Sequence, residues 1–175
     1  MRSTAATGQR REPPGVDGFE LRSCLARFAT GVAVAAVDGP DGRHGLTVNS
    51  FTAVSLEPPL VLVALLKTAR GHDYFLGRPF GVNVLGAEHE TLARRFAGRP
   101  RLERAQWDGA SPVPRLSDAL AFLDCTPWAA YDGGDHTLVV GEVRRFDYRD
   151  GDALGYFCGR FVALPSPVLG FEFLF

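Results

Sequence analysis

Apolar positions recur along this chain at two different periods. Leu21, Leu25 and Phe28 fall at i, i+4 and i+7, one face of a helix. Asp17, with Glu20 three residues on, is a capping-box-like start for it, and Gly31 is a stop. Residues 32–37 are β-branched or Ala, and the turn cluster 38–42 separates them from residues 45–54. That pattern predicts a hairpin with a longer loop. Pro59–Leu66 is a continuous apolar run of strand length, suited to a strand buried on both faces. A short helix over 71–76 and a strand over 80–85 follow. Leu92 and Phe96 then mark a helix over 88–97. Residues 98–118 are rich in Arg and Pro and carry Trp107 without a period. Excursions of that length tend to be functional or mobile. Strands over 119–131 and 137–148 flank the turn Asp132-Gly133-Gly134-Asp135, and 156–163 reads as a final strand. Six or seven strands in hairpins outnumber the helices without alternating with them. The expected fold is therefore mainly β, a barrel with peripheral α-helices, and not a doubly wound sheet.

Composition narrows the class. A chain of 175 residues, 46% hydrophobic and 22% charged, holds one ordinary globular domain. We expect that domain over 17–164, with a polar flexible tail over 1–16 and an apolar C-terminal extension over 165–175. A net charge of −1 weighs against a nucleic-acid partner. The apolar runs are far shorter than the ~20 residues of a membrane span, so no membrane role is expected. Cys24, Cys125 and Cys158 stand far apart, without a paired or metal-binding spacing. Three separate cysteines suggest reduced thiols and a cytoplasmic location.

Several catalytic signatures are absent: the dinucleotide-binding glycine fingerprint, the phosphate loop, the nucleophile elbow and the zinc-binding helix motif. Three segments remain. Thr47-Val48-Asn49-Ser50-Phe51-Thr52 packs four hydrogen-bonding side chains into six residues. It reads either as a polar strand end or as an edge that binds a flat heterocycle or a phosphate. Lys67-Thr68-Ala69-Arg70, directly after the apolar strand, reads either as a solvated loop or as a phosphate seat. His136 follows a glycine turn, as a surface residue or at a pocket rim, with Asp135 beside it.

Six motifs in order make a more specific pattern. They are Arg27-Phe28-Ala29-Thr30-Gly31-Val32, the stretch 46–61, Phe80-Gly81-Val82-Asn83-Val84-Leu85, Ala93-Arg94-Arg95-Phe96-Ala97, Gly134-Asp135-His136-Thr137 with Gly141-Glu142-Val143, and Tyr156-Phe157-Cys158-Gly159-Arg160-Phe161. Over residues 19–164 the chain resembles the short-chain flavin reductase family, the reductase components of two-component flavin-dependent monooxygenases. The resemblance implies an FMN-binding split β-barrel and a homodimer with flavin near the subunit interface. It implies that NADH or NADPH reduces FMN or FAD, which is then released to a partner oxygenase. By position, Thr47, Val48, Asn49 and Ser50 would contact the isoalloxazine and ribityl region, with Ser55 and Leu56 lining the same site. Lys67 and Thr68 would lie by the flavin phosphate, with Arg95 a weaker candidate. Asn83 and Val84 would approach from a neighbouring strand, and Arg160 would stand at the rim. His136 would face the nicotinamide as the catalytic residue, orienting or neutralising it. Val48 departs from the smaller Ala frequent in the family. The alternatives are an FMN-holding electron carrier without catalysis and a flavin-free binding module.

Overall fold

The computed structural model describes residues 15–99 and 104–166. The expected tail up to residue 14 and the C-terminal extension from residue 167 lie outside these residues. The chain opens with helix α1 (Gly18–Leu25) and the short strand β1 (Thr30–Gly31). Two hairpins follow: β2 (Ala33–Gly39) with β3 (Gly42–Val48), and β4 (Thr52–Leu56) with β5 (Pro59–Leu66). A 3-10 turn, His72–Leu76, leads to β6 (Phe80–Val84), and helix α2 (Glu90–Phe96) comes next. The short strands β7 (Trp107–Asp108) and β8 (Arg115–Leu116) pair with each other. The chain continues through β9 (Ala121–Gly133), β10 (His136–Tyr148), β11 (Ala153–Phe157) and β12 (Arg160–Leu164).

The main sheet is antiparallel, in the order β3-β2-β6-β9-β10-β5-β4. A smaller sheet has the order β1-β11-β12. Strands β3 and β4 are neighbours in sequence yet end the main sheet on opposite sides. The three residues between them must therefore bring the two ends together. The sheet wraps into a barrel whose seam lies between β3 and β5, and this is the split-barrel form that the resemblance implies.

Strand β2 is buried on both faces. Ala33, Ala35 and Val37 join Val63, Leu65, Phe80, Val82 and Val139 inside the barrel. Val34 and Ala36 point outward against Leu85, Leu92, Ala93, Leu116 and Leu154. Small residues on β2 let a second layer, α2 with the small sheet, pack closely on the barrel. Strand β5 alternates instead, because Val61, Val63 and Leu65 are buried while Leu60, Leu62 and Ala64 are half covered. The continuous apolar run of β5 was thus a misleading sign of two-sided burial.

Other differences have identifiable causes. Asp17 caps α1 through the amides of Phe19 (2.7 Å) and Glu20 (3.3 Å). The helix stops at Leu25 and not at Gly31, because Thr30 and Gly31 pair with Tyr156 and Gly155 of β11. Its apolar face does not meet this chain's core: Leu25 and Phe28 are 64% and 77% exposed. The first hairpin is tight, with Gly39 opposite Gly42. Residues 45–54 are not one strand; the chain breaks at 49–51 to cross the seam. Residues 156–163 form a hairpin whose turn residues, Cys158 (φ 47°) and Gly159 (φ 78°), both adopt the left-handed conformation typical of a two-residue loop. The pairing of β1 with β11 joins residues far apart in sequence, so no local period announces it.

Candidate active site

The seam is fastened at two places. At one, the Ser50 hydroxyl donates to the Ala64 carbonyl oxygen and accepts from the Ala64 amide, each at 3.0 Å. At the other, Asp41 in the β2–β3 turn accepts from Arg70 Nη2 (3.0 Å) and bonds His44 Nε2 (2.7 Å). The His44 ring packs on Tyr74, with centroids 5.1 Å apart. Asp41 is held down to a pKa of about 2 by its hydrogen bonds to His44 and Arg70. The strand edges are parted around these fastenings, and a cavity of about 750 Å³ lies in the split. Among the described residues, strand β3 pairs only with β2. The alternation of an antiparallel ladder leaves every second N–H and C=O of β3 facing away from β2. These backbone groups give the cavity a polar edge suited to the rim of a planar heterocycle.

The third wall comes from α2. Thr47 donates its hydroxyl to the Ala93 carbonyl oxygen at 2.7 Å, tying β3 to the helix. Phe96 lies over Gly45, where an added Cβ would sit 2.6 Å from the ring, so only glycine permits this approach. The cavity wall therefore combines Thr47, Val48, Asn49, Ser50, Arg95 and His136 with Asp41, Arg43, His44, Arg70 and Phe96.

His136 enters this wall from the first position of β10, opposite Leu66. Its Nδ1 lies 2.6 Å from Asp135 Oδ1, and this hydrogen bond lowers the Asp135 pKa. A carboxylate on Nδ1 fixes the ring orientation and leaves Nε2 as the other working nitrogen. Lys67 reaches across the same turn: its ammonium donates to Asp132 and, at 2.7 Å, to the Gly134 carbonyl oxygen. The lysine thus braces the glycine turn that carries His136.

The first group of sequence candidates, Thr47, Val48, Asn49, Ser50, Arg95 and His136, is brought together. The rest is dispersed. Ser55 accepts from the Glu57 amide at the β4–β5 turn, and Leu56 is 93% exposed on the far edge strand. Lys67 is engaged by the turn, Thr68 is exposed, and neither lines the cavity. Asn83 requires a correction. It is fully buried, its Nδ2 donates to the Val34 and Pro114 carbonyl oxygens (3.2 and 3.3 Å), and its Oδ1 accepts from the Leu116 amide at 2.7 Å. This side chain ties the 104–118 excursion to the barrel and presents nothing to a ligand. Val84 sits in the ladder between Ala33 and Ala121. Arg160 is exposed beside the β11–β12 turn, outside the cavity.

Sequence reasoning missed Asp41, Arg43, His44 and Phe96. The Asp41 position read only as a turn, and a lone His or Phe carries no local signal. Arg70 was visible as the last member of Lys67-Thr68-Ala69-Arg70, and it is that cation, not Lys67, which reaches the wall.

Residues 25–165 match the model of the flavin reductase like domain. The chain belongs to this family. An FMN reductase (NADH), SmoA, of Agrobacterium fabrum is 40% identical over 152 residues, covering 85% of this chain and 87% of the relative. The reductase component of 4-hydroxyphenylacetate 3-monooxygenase of Thermus thermophilus is 38% identical over 139 residues, covering 78% and 90%. Among solved structures, the Streptomyces globisporus NADH:FAD oxidoreductase SgcE6 in complex with NAD and FAD fragments superposes with a TM-score of 0.78 at 36% identity, over 86% of this chain and 94% of that one. As a member of the flavin reductase like family, the chain has the family's split-barrel fold, and its seam cavity lies along the polar segment 47–50.

Proposed function

We propose that this chain is a flavin reductase that oxidises a reduced nicotinamide and supplies reduced FMN or FAD to a separate monooxygenase component. One observation carries the reading. The split between β3 and β5 forms a cavity with a polar strand edge, three arginines and His136 in its wall. Its size lies within the range of ordinary cofactor sites, ~300–1,000 Å³, and its donors suit a flat ring bearing carbonyl and phosphate oxygens. When both are bound, the nicotinamide supplies a hydride that the flavin ring accepts.

The residues then have distinct tasks. Thr47, Val48, Asn49 and Ser50 hold the ring edge and the ribityl region. Arg70 and Arg95 meet the phosphate, the role first expected of Lys67 and Thr68. His136, oriented by Asp135, would contact the nicotinamide through Nε2. Positioning two rings face to face is the main contribution of such a site, so His136 orients and need not transfer a proton.

A second copy of the chain completes the particle in this reading. Val54, Leu56, Leu66, Trp128 and Tyr131 on the β4, β5 and β9 surfaces, and Phe19, Leu25 and Phe28 near α1, are exposed. Covering a large apolar side chain is worth ~1.5–3 kcal/mol, and such patches mark interfaces. All three cysteines are free, in keeping with a reducing cytoplasm.

The test is absorbance at the nicotinamide band, with NADH or NADPH and added FMN or FAD in turn. Rapid flavin-dependent oxidation supports the reductase, and the best pair sets the cofactor preference. No turnover with any pair by folded protein would overturn it in favour of an electron carrier or a binding module. Light scattering at twice the chain mass supports the second copy.

A further inference from the structure

Residues 104–118 contribute nothing to the wall of the seam cavity. They lie close on the outside of the barrel instead, where a Cβ at Gly81 would sit 2.3 Å from the Pro114 carbonyl oxygen. Between them and strands β9 and β10 is a cavity of about 270 Å³ that shares no wall residue with the seam. Phe122 and Asp124 alternate on the outward face of β9, since Leu123 and Cys125 belong to the barrel interior. Asp147 and Arg145 stand directly opposite them in β10. Arg145 is far from His136, roughly 30 Å along the strand at ~3.3 Å per residue. The charges in this wall do not cancel. Arg115, 5.1 Å from the Phe122 ring centroid, is met by two carboxylates, Asp147 at 2.6 Å and Asp108 at 3.8 Å. Asp124 has one ion pair among the described residues, with Arg145 Nε 3.6 Å from its Oδ2, and receives no hydrogen bond from them. Its side chain is 7% exposed, whereas that of Arg145 is 73% exposed. In the same wall the Ser111 hydroxyl is buried without a hydrogen-bond partner.

A buried carboxylate without hydrogen bonds is costly, and so is a buried hydroxyl without a partner. A group that bonds both removes both costs. It must be a cation, because three carboxylates face two guanidinium groups in this wall. An ammonium is compact and carries three donors, enough for Asp124 and Ser111 together. Pro112 and Phe146 leave an apolar part of the wall for a hydrocarbon body. The volume lies just under the ~300–1,000 Å³ of ordinary ligand pockets, so the ligand is small. We infer that this cavity is a binding site for a small organic primary amine, its ammonium on Asp124 and Ser111 and its hydrocarbon part against Pro112 and Phe146. Arg145 gives way toward solvent, where most of its side chain already lies. The site is separate from the seam cavity and does not rest on the reductase reading.

The experiment titrates the full chain with 2-phenylethylamine by calorimetry, with 2-phenylethanol as the uncharged counterpart. The amine is expected to bind saturably, at least fivefold more tightly than the alcohol, and FMN in excess should not compete. Asp124→Asn keeps the shape and removes the charge, so the amine Kd should rise at least fivefold. Arg145→Gln removes a competing cation, so the Kd should stay equal or fall. A Kd that rises in Arg145→Gln means that the guanidinium itself holds the ligand, and overturns the assignment. No saturable binding at about 10 mM amine, a smaller preference over the alcohol, competition by FMN, or a smaller effect of Asp124→Asn each overturns it as well. Should Asp124→Asn fail to fold, Ser111→Ala decides the matter. It removes only the hydroxyl, and a Kd raised at least threefold supports the site, whereas a lesser change overturns it.

Discussion

Ser50 stands in for a whole strand neighbour of Ala64. Its hydroxyl takes both the amide and the carbonyl of that residue, at 3.0 Å each, where the ladder between β4 and β5 has already run out at Thr52 and Leu62. A single side chain thus fastens one end of the split in which the cavity lies. Ser50→Ala leaves two half-covered backbone groups to water, so a loss of about 1 kcal/mol is expected. Thermal unfolding should show a lower midpoint, and flavin titration a weaker site. An unchanged midpoint would mean that the seam does not depend on this bond.

Asn83 separates a structural role from a binding one. Asn83→Leu leaves the buried Leu116 amide without its acceptor and takes a donor from the Pro114 carbonyl oxygen, while the Val34 carbonyl stays within the sheet. Each buried orphan costs roughly 1–3 kcal/mol. The expected result is a strongly lowered unfolding midpoint, with flavin affinity of the folded fraction nearly unchanged. Normal stability with lost flavin binding would restore the ligand contact first expected from the sequence.

His136 and its supports should affect rate more than affinity. His136→Ala is expected to slow flavin reduction and leave the FMN Kd within about twofold. Lys67→Gln loosens the turn under His136 and should show a milder loss of the same kind. Stopped-flow hydride-transfer rates equal to wild type in His136→Ala would remove the role proposed for it.

Asp41 sets an acid limb. Its folded pKa, about 2, lies below the ordinary 3.8. A depressed carboxylate contributes stability that is full above its unfolded value and is lost as pH falls through the folded one. The contribution should therefore fade between pH 3.8 and about 2. Acid unfolding of Asp41→Asn, compared with wild type, should lack this component, while the difference at neutral pH remains constant. Parallel acid curves that never converge would exclude the linkage.

The cysteines should separate by reactivity. Burial pushes the Cys125 thiol up to about 12, whereas Cys24 is exposed. Alkylation at neutral pH followed by peptide mass spectrometry should mark Cys24 and spare Cys125 until the protein unfolds. Early labelling of Cys125 would reveal local opening of the barrel.

Local chemistry determined much of this protein from the sequence alone. Asp17 started a helix, Pro59–Leu66 formed a strand over its full length, and the glycine turn put His136 at the mouth of a hairpin. These are short-range consequences of capping, side-chain period and left-handed turn residues. The polar segment 47–50 was legible as chemistry because its hydrogen-bonding groups are crowded together. What it faces was not legible. Only closure of the barrel brought Asp41 to Arg70 and Ser50 to Ala64. Closure likewise turned Lys67 away to the turn beside His136 and buried Asn83 under Pro114 and Leu116. Each of these relations joins residues at least 14 apart, and the sheet order sets it, not any spacing along the chain. A polar residue near a motif can serve a ligand or a distant backbone group equally well, and the nearest unpaired partner in three dimensions decides which.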